Sequence, residues 1–123
     1  MQHKVVIAVV DDDEGIRSAL ESLLRANSYR VLSYPGAQAF LDSDGPAQTH
    51  CLISDIQMPG ISGPQLHEAL RAQGWRIPLI FVTAHPDEFH TRAPGVIACL
   101  PKPFAPDILL SQIDIALNRT LPL

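Results

Sequence analysis

The sequence predicts an α/β domain, a doubly wound five-stranded parallel sheet with helices on both faces and a short fourth helix. Three observations carry that expectation. Short apolar runs alternate with segments of helical period along the chain. The runs are apolar on both faces, as parallel strands buried between helix layers must be. The polar residues of greatest chemical interest all stand at the carboxyl ends of those runs, where such sheets bind ligands. With 123 residues the chain has room for one domain spanning 1–123, with its own core, and too few for two.

The first strand is read at Val5-Val6-Ile7-Ala8-Val9-Val10. Ile16, Ala19, Leu20, Leu23, Leu24 and Asn27 follow at three- and four-residue spacing and draw one helical face. Arg30 to Tyr34 reads as a second strand, Ala37 to Leu41 as a short helix, and Asp42 to His50, with Gly45 and Pro46, as a polar connection. Cys51-Leu52-Ile53-Ser54 forms a third strand that stops at Asp55. Gln65 to Gln73 then reads as a helix with Leu66, Ala69 and Leu70 on one side. Pro78 to Val82 is a fourth strand ending at Thr83, and Asp87 to Arg92 a weak helical turn or two. Val96 to Leu100 is a fifth strand, and Asp107 to Asn118 a final helix whose first turn suits Pro106.

Composition narrows the function classes. Apolar residues make up 46% of the chain and charged ones 18%, a balance that folds rather than stays disordered. The formal net charge is −4 and the only lysines are Lys4 and Lys102, so no basic face for direct nucleic-acid binding is visible. No apolar run reaches the length of a membrane span, and the N-terminus lacks a signal-peptide pattern. Cys51 and Cys99 sit in apolar strand-like runs, in no CxxC pair and at no metal-ligand spacing, which suits a reduced, cytoplasmic setting. His3, His50, His67 and His90 show no ligand spacing and read as surface residues.

The chemistry concentrates in two segments. Strand one ends in Asp11-Asp12-Asp13-Glu14, four adjacent carboxylates that repel one another. One of Asp13 or Glu14 serves as a cap for the following helix. For the others a hard divalent cation is the natural partner, since Mg²⁺ takes one or two carboxylates together with water and phosphate oxygens. Strand three ends in Asp55-Ile56-Gln57-Met58-Pro59-Gly60-Ile61-Ser62-Gly63. Alone, Asp55 would read as a turn residue. The Met58-Pro59 pair and Gly63 instead specify a rigid loop, suited to presenting a backbone carbonyl to a metal.

The set VVDD, DIQMPGISG, FVTA and KPF, in that order and spacing, resembles the receiver domains of two-component response regulators over nearly the whole chain. The first-helix region resembles the FixJ-type subgroup. The resemblance implies the flavodoxin-like strand order 2-1-3-4-5 and assigns roles. Asp55 would accept a phosphoryl group; Asp11 and Asp12 would hold Mg²⁺ with Asp55 and the main-chain carbonyl of Gln57. Thr83 and Lys102 would contact the phosphoryl oxygens. Gln57 and His85 fall where the family flanks attacking water, so they are candidates for tuning dephosphorylation. The implied partners are a histidine kinase or phosphotransfer protein and an unidentified output partner, with dimerisation open. The domain would signal rather than turn over a substrate.

Departures from the family pattern matter as much. The usual aromatic three residues before the lysine is Cys99, so the switch position coupled to Thr83 has no ring to rotate. The stretch from Thr83 to Lys102 is shorter than usual, with Pro86 and Pro94, hence the short fourth helix. The chain is expected to be a stand-alone receiver or one cut from a longer protein near Pro122. A haloacid-dehalogenase-type phosphohydrolase is the rival reading: Asp11-x-Asp13, Thr83 and Lys102 suit it superficially. Gly15 and the unexplained Met-Pro loop oppose it, and phosphorylation at Asp11 rather than Asp55 would favour it. A receiver fold that binds partners without phosphate is a third reading, opposed by the full set of core positions.

Overall fold

The computed structural model describes residues 4–85 and 93–120. Within them, strands β1 (Val6–Val10), β2 (Arg30–Tyr34), β3 (Cys51–Ser54), β4 (Leu79–Thr83) and β5 (Val96–Pro101) form one parallel sheet in the order β2-β1-β3-β4-β5. Helices α1 (Glu14–Ala26), α2 (Ala37–Leu41), α3 (Gly45–Gln48), α4 (Gly63–Ala72) and α5 (Pro106–Thr120) connect them. The expected architecture and strand order are what the structure has. The short fourth helix expected over Asp87–Arg92 lies outside the described residues, as do His3, His90 and Pro122.

Two cores account for the doubly apolar strands. On one face Ile7, Val9, Ile53, Ile80 and Val82 pack against Leu20 and Leu24 of α1 and Leu109, Ile113 and Ala116 of α5. On the other, Ala8, Val10, Leu52, Leu79 and Phe81 pack against Ala37 and Phe40 of α2 and Leu66 and Leu70 of α4. Every residue of β1, β3 and β4 is buried, and each large side chain removed from water contributes about 2–3 kcal/mol. Among the described residues no helix is long and apolar enough to cross a membrane.

Three details differ from the sequence expectation. The polar connection holds a helical turn, α3, fixed by side chains rather than by periodicity: Gly45 N–H donates to Ser43 Oγ at 2.9 Å and Thr49 Oγ1 donates to the Gly45 carbonyl at 2.7 Å. Gly45 must lack a Cβ, which would lie 2.6 Å from the Tyr34 hydroxyl and 2.7 Å from the Phe40 ring. Next, α4 starts two residues earlier than expected. Ser62 caps it reciprocally with Gln65, and Pro64 occupies the first turn, which has no use for its missing N–H. Finally, His67 is buried rather than on the surface, at 7% exposure, with Nε2 2.9 Å from the Pro94 carbonyl. Burial holds its pKa below the usual imidazole range, opposed by the Pro94 contact and reinforced by nearby Arg71. His50 is exposed as expected, its Nδ1 accepting from Val6 N–H at 2.9 Å.

β4 and β5 do not pair in simple register. Leu79 faces Val96 but Ile80 faces Ala98, so Ile97 is an extra residue, and from there Phe81 meets Cys99 and Thr83 meets Pro101.

Candidate functional site

The ladders run past the strand ends and carry polar residues with them. Asp11 N–H donates to the Tyr34 carbonyl at 3.2 Å, Asp55 N–H to the Val10 carbonyl at 3.0 Å, and Lys102 N–H to the Thr83 carbonyl at 2.8 Å. Side chains beyond β1, β3 and β5 therefore emerge at one end of the sheet with backbones fixed by strand pairing. Beyond β1 the chain turns into α1: Asp11 Oδ1 accepts from Asp13 N–H at 2.9 Å, and Asp13 Oδ1 accepts from Ile16 N–H at 3.1 Å as the helix cap. Asp13 is thus the capping residue of the acidic run. The rival phosphohydrolase reading needs that carboxylate at a substrate instead.

Carboxylate oxygens of Asp11, Asp12 and Asp55 lie within 4.8 Å of one another, Asp11 and Asp55 buried and Asp12 exposed. Lys102 Nζ sits against the two buried members, 3.0 Å from Asp11 Oδ2 and 3.1 Å from Asp55 Oδ2. Among the described residues one ammonium thus pairs with two of the three carboxylates, leaving an excess of negative charge in a crevice partly shielded from water. Burial pushes the Asp11 carboxyl above its usual range and the charge of Asp55 adds to this, while the Asp13 N–H and Lys102 pull the other way. Burial alone would lower the Lys102 pKa, but its hydrogen bonds and attraction to Asp11 and Asp55 outweigh that and raise it. Oxygen donors of this hardness, with charge to spare, fit a Mg²⁺-class cation.

The loop after Asp55 is built to stay in place. Gln57 N–H reaches back to Asp55 Oδ1 at 3.4 Å, Gly63 N–H donates to the Ile56 carbonyl at 2.8 Å, and Met58 is buried beneath. Gly60 takes a left-handed φ of 79°. A Cβ on Gly63 would collide with the Asp55 carbonyl and lie 2.7 Å from the Phe81 ring, so a bare α-carbon is what lets α4 start against the end of β3 and against β4.

The remaining candidates are arranged around this centre. Thr83 is buried at the end of β4; its Oγ1 accepts from His85 N–H at 3.2 Å, and its carbonyl holds Lys102. His85 and Gln57 have exposed side chains. Cys99 lies away from the carboxylates, half-buried against the second core opposite Phe81, and burial pushes its thiol up. Cys51 is fully buried, its thiol pushed up to about 12, and both cysteines are free. Arg17 was missed by the sequence reading: its Nη1 donates to the Asp11 carbonyl at 2.6 Å. Its spacing, six residues after Asp11 on a helix, offers no motif that would have flagged it.

Residues 7–114 match the family model described as the response regulator receiver domain. The chain is 32% identical over 123 residues to the transcriptional regulatory protein FixJ of Azorhizobium caulinodans, covering 98% of this chain and 58% of that protein. It is 38% identical over 116 residues to the response regulator protein TmoT of Ectopseudomonas mendocina, covering 92% of this chain and 53% of that protein. Among solved structures, the response regulator StyR superposes with a TM-score of 0.88 at 40% identity, covering 95% of this chain and 61% of that one. The chain thus spans little more than half the length of the curated relatives it matches.

Proposed function

The chain belongs to the response regulator receiver domain family of two-component signalling, and from that premise we propose that residues 1–123 form one receiver domain that takes a phosphoryl group onto Asp55. The observation that carries this is the single ammonium of Lys102 set 3.0 and 3.1 Å from the carboxylates of Asp11 and Asp55 at the mouth of the sheet.

The donor is a phosphohistidine on a histidine kinase or phosphotransfer protein. An Asp55 oxygen attacks phosphorus, an O–P bond forms, the N–P bond breaks, and the imidazole leaves and recovers its proton. Attack by one anion on another needs charge neutralised in advance. A Mg²⁺ ion held by Asp11, Asp12, Asp55 and the Gln57 main-chain carbonyl would supply most of that neutralisation. Lys102 transfers its ammonium from the carboxylate pair to the new phosphoryl oxygens, and the Thr83 hydroxyl donates to another of them. Gln57 and His85, exposed beside Asp55 and Thr83, orient the water that later attacks phosphorus, releases inorganic phosphate and restores the carboxylate. The domain in this reading assists its own phosphorylation and dephosphorylation and has no other substrate. Cys99 supplies no rotating ring, so the signal reaches its output partner from Thr83 without the aromatic relay, and dimerisation is one form that output can take. Two free thiols favour a reducing, cytoplasmic compartment.

The test is incubation with Mg²⁺ and acetyl phosphate, followed by intact mass and site mapping. Wild type should gain one phosphoryl group at Asp55, and Asp55→Asn should gain none. Modification that persists in Asp55→Asn, or that maps to Asp11, defeats the assignment.

A further inference from the structure

Arg17 stands outside every motif that marked the site, yet it meets the turn after β1 twice. It is the fourth residue of α1 and half-buried. Its main-chain N–H donates to the Asp13 carbonyl at 3.0 Å, opening the helical ladder. Its guanidinium folds back over the same turn, and Nη1 donates to the Asp11 carbonyl at 2.6 Å. A charge-assisted bond of this kind is shorter and roughly twice as strong as a neutral one.

That carbonyl belongs to the peptide joining Asp11 to Asp12. From the other direction Asp11 Oδ1 holds the Asp13 N–H at 2.9 Å. The residue caught between the two restraints is Asp12. Its side chain is exposed and makes no hydrogen bond or ion pair among the described residues. Among the described residues only the main chain therefore aims the Asp12 carboxylate at the oxygens of Asp11 and Asp55, with which it clusters.

The geometry points to Arg17 as a positioning residue for the divalent cation: by fixing the plane of the Asp11–Asp12 peptide, it aims the Asp12 carboxylate into the metal position. The inference rests on the reading of the carboxylate cluster as a Mg²⁺ site. It makes a prediction opposite in sign to simple electrostatics. A cationic guanidinium beside a dication costs affinity, so as a bare charge Arg17 should be better removed. As a clamp, its removal should weaken binding despite the favourable change in charge.

Mg²⁺ is titrated calorimetrically into wild type, Arg17→Met and Arg17→Lys, and the Mg²⁺ dependence of acetyl-phosphate labelling is measured beside it. Arg25→Met, which removes an exposed cation from the same helix, serves as the control. Outer partners of metal ligands are worth about 10-fold or more in affinity, so Arg17→Met should raise the Mg²⁺ dissociation constant about tenfold. The half-saturating Mg²⁺ for labelling should rise in step, while the rate at saturating Mg²⁺ stays within about twofold. Arg17→Lys keeps the charge but loses the planar fork, and should fall between the two. Arg17→Met that binds Mg²⁺ as tightly as wild type or more tightly overturns the inference. So does a lowered saturating rate with unmoved Mg²⁺ dependence. Should Arg17→Met not fold, Arg17→Lys decides alone, and an affinity equal to or above wild type overturns it. A wild type that binds no Mg²⁺ defeats the metal site itself, whereas binding that ignores Arg17 defeats only the clamp.

Discussion

The two sides of the crevice are built differently. On the β1–β3 side every strand residue is buried, the strands are interior to the sheet, and Asp11 and Asp55 continue their ladders. On the other side β5 is an edge strand, half-buried at Val96, Ile97, Ala98 and Cys99, and irregular in its pairing with β4. The acids ride on the stiff side and the lysine on the compliant one. In the proposed function the carboxylates share one cation and gain from rigid backbones, because a metal tolerates little misplacement. In that same reading the ammonium leaves the carboxylate pair for a phosphoryl group, and it then gains from a strand with fewer packing constraints.

The largest effect that would break this contrast is loss of the lysine. Lys102→Met leaves Asp11 and Asp55 without their counter-ion, and the metal-free protein should lose about 3 kcal/mol in urea unfolding. Mg²⁺ should restore much of that loss. An unchanged stability without metal would mean that the carboxylates do not depend on the compliant side. Next in size is Gly63→Ala, whose methyl would collide with the Asp55 carbonyl first and with the Phe81 ring as well, and cost about 2 kcal/mol by the same measurement. A neutral result would show the stiff side to be less tightly packed than its burial indicates.

Smaller, and opposite in sign, is Asp11→Asn. The Asp11 pKa is raised in the folded protein, so its contribution to stability is fully present below the unfolded value of 3.8 and is lost as pH rises through the folded pKa. At neutral pH the charged form is therefore a burden. Asp11→Asn should stabilise the metal-free protein at pH 7 by about 1 kcal/mol, visible as a higher melting temperature, with the gain shrinking on acidification. A variant less stable at pH 7 would mean that the Lys102 contact outweighs burial and repulsion. The smallest effect should come from Cys99→Ala, on the compliant side and away from the carboxylates. It should cost under about 1 kcal/mol and leave the labelling rate of Asp55 unchanged.

The same contrast explains what could be read beforehand. Strands β2 and β3 have the expected limits and β1 and β4 differ by one residue, because burial on both faces leaves an uninterrupted apolar run that turn residues punctuate. Asp11, Asp12, Asp55 and Lys102 were legible because they end such runs, and strand pairing brings the ends together. What was illegible depends on contacts rather than period. A single turn such as α3 has no repeat to detect, and its Ser43 and Thr49 bonds look like ordinary loop chemistry. His67 falls in line with Gly63, Leu66 and Leu70 on the buried face of α4, a signal that was present but outweighed by its polarity. Ser62 and Gln65 likewise stand at capping-box spacing. Arg17 gave no warning, since a folded-back guanidinium leaves no trace in the order of residues.

The extra residue Ile97 has a consequence for how β5 can vary. Side chains alternate along a strand, so adding or removing one residue turns everything beyond it to the opposite face. The shift at Ile97 places Cys99 beside Phe81 and brings Lys102 out one step past the Thr83–Pro101 pair. The strand therefore acts as a ruler: six residues with one spare fix both the height and the direction at which the ammonium leaves the sheet. Substitutions along it can change packing by degrees, whereas a single deletion between Ile97 and Lys102 would aim the ammonium that pairs with Asp11 and Asp55 away from them.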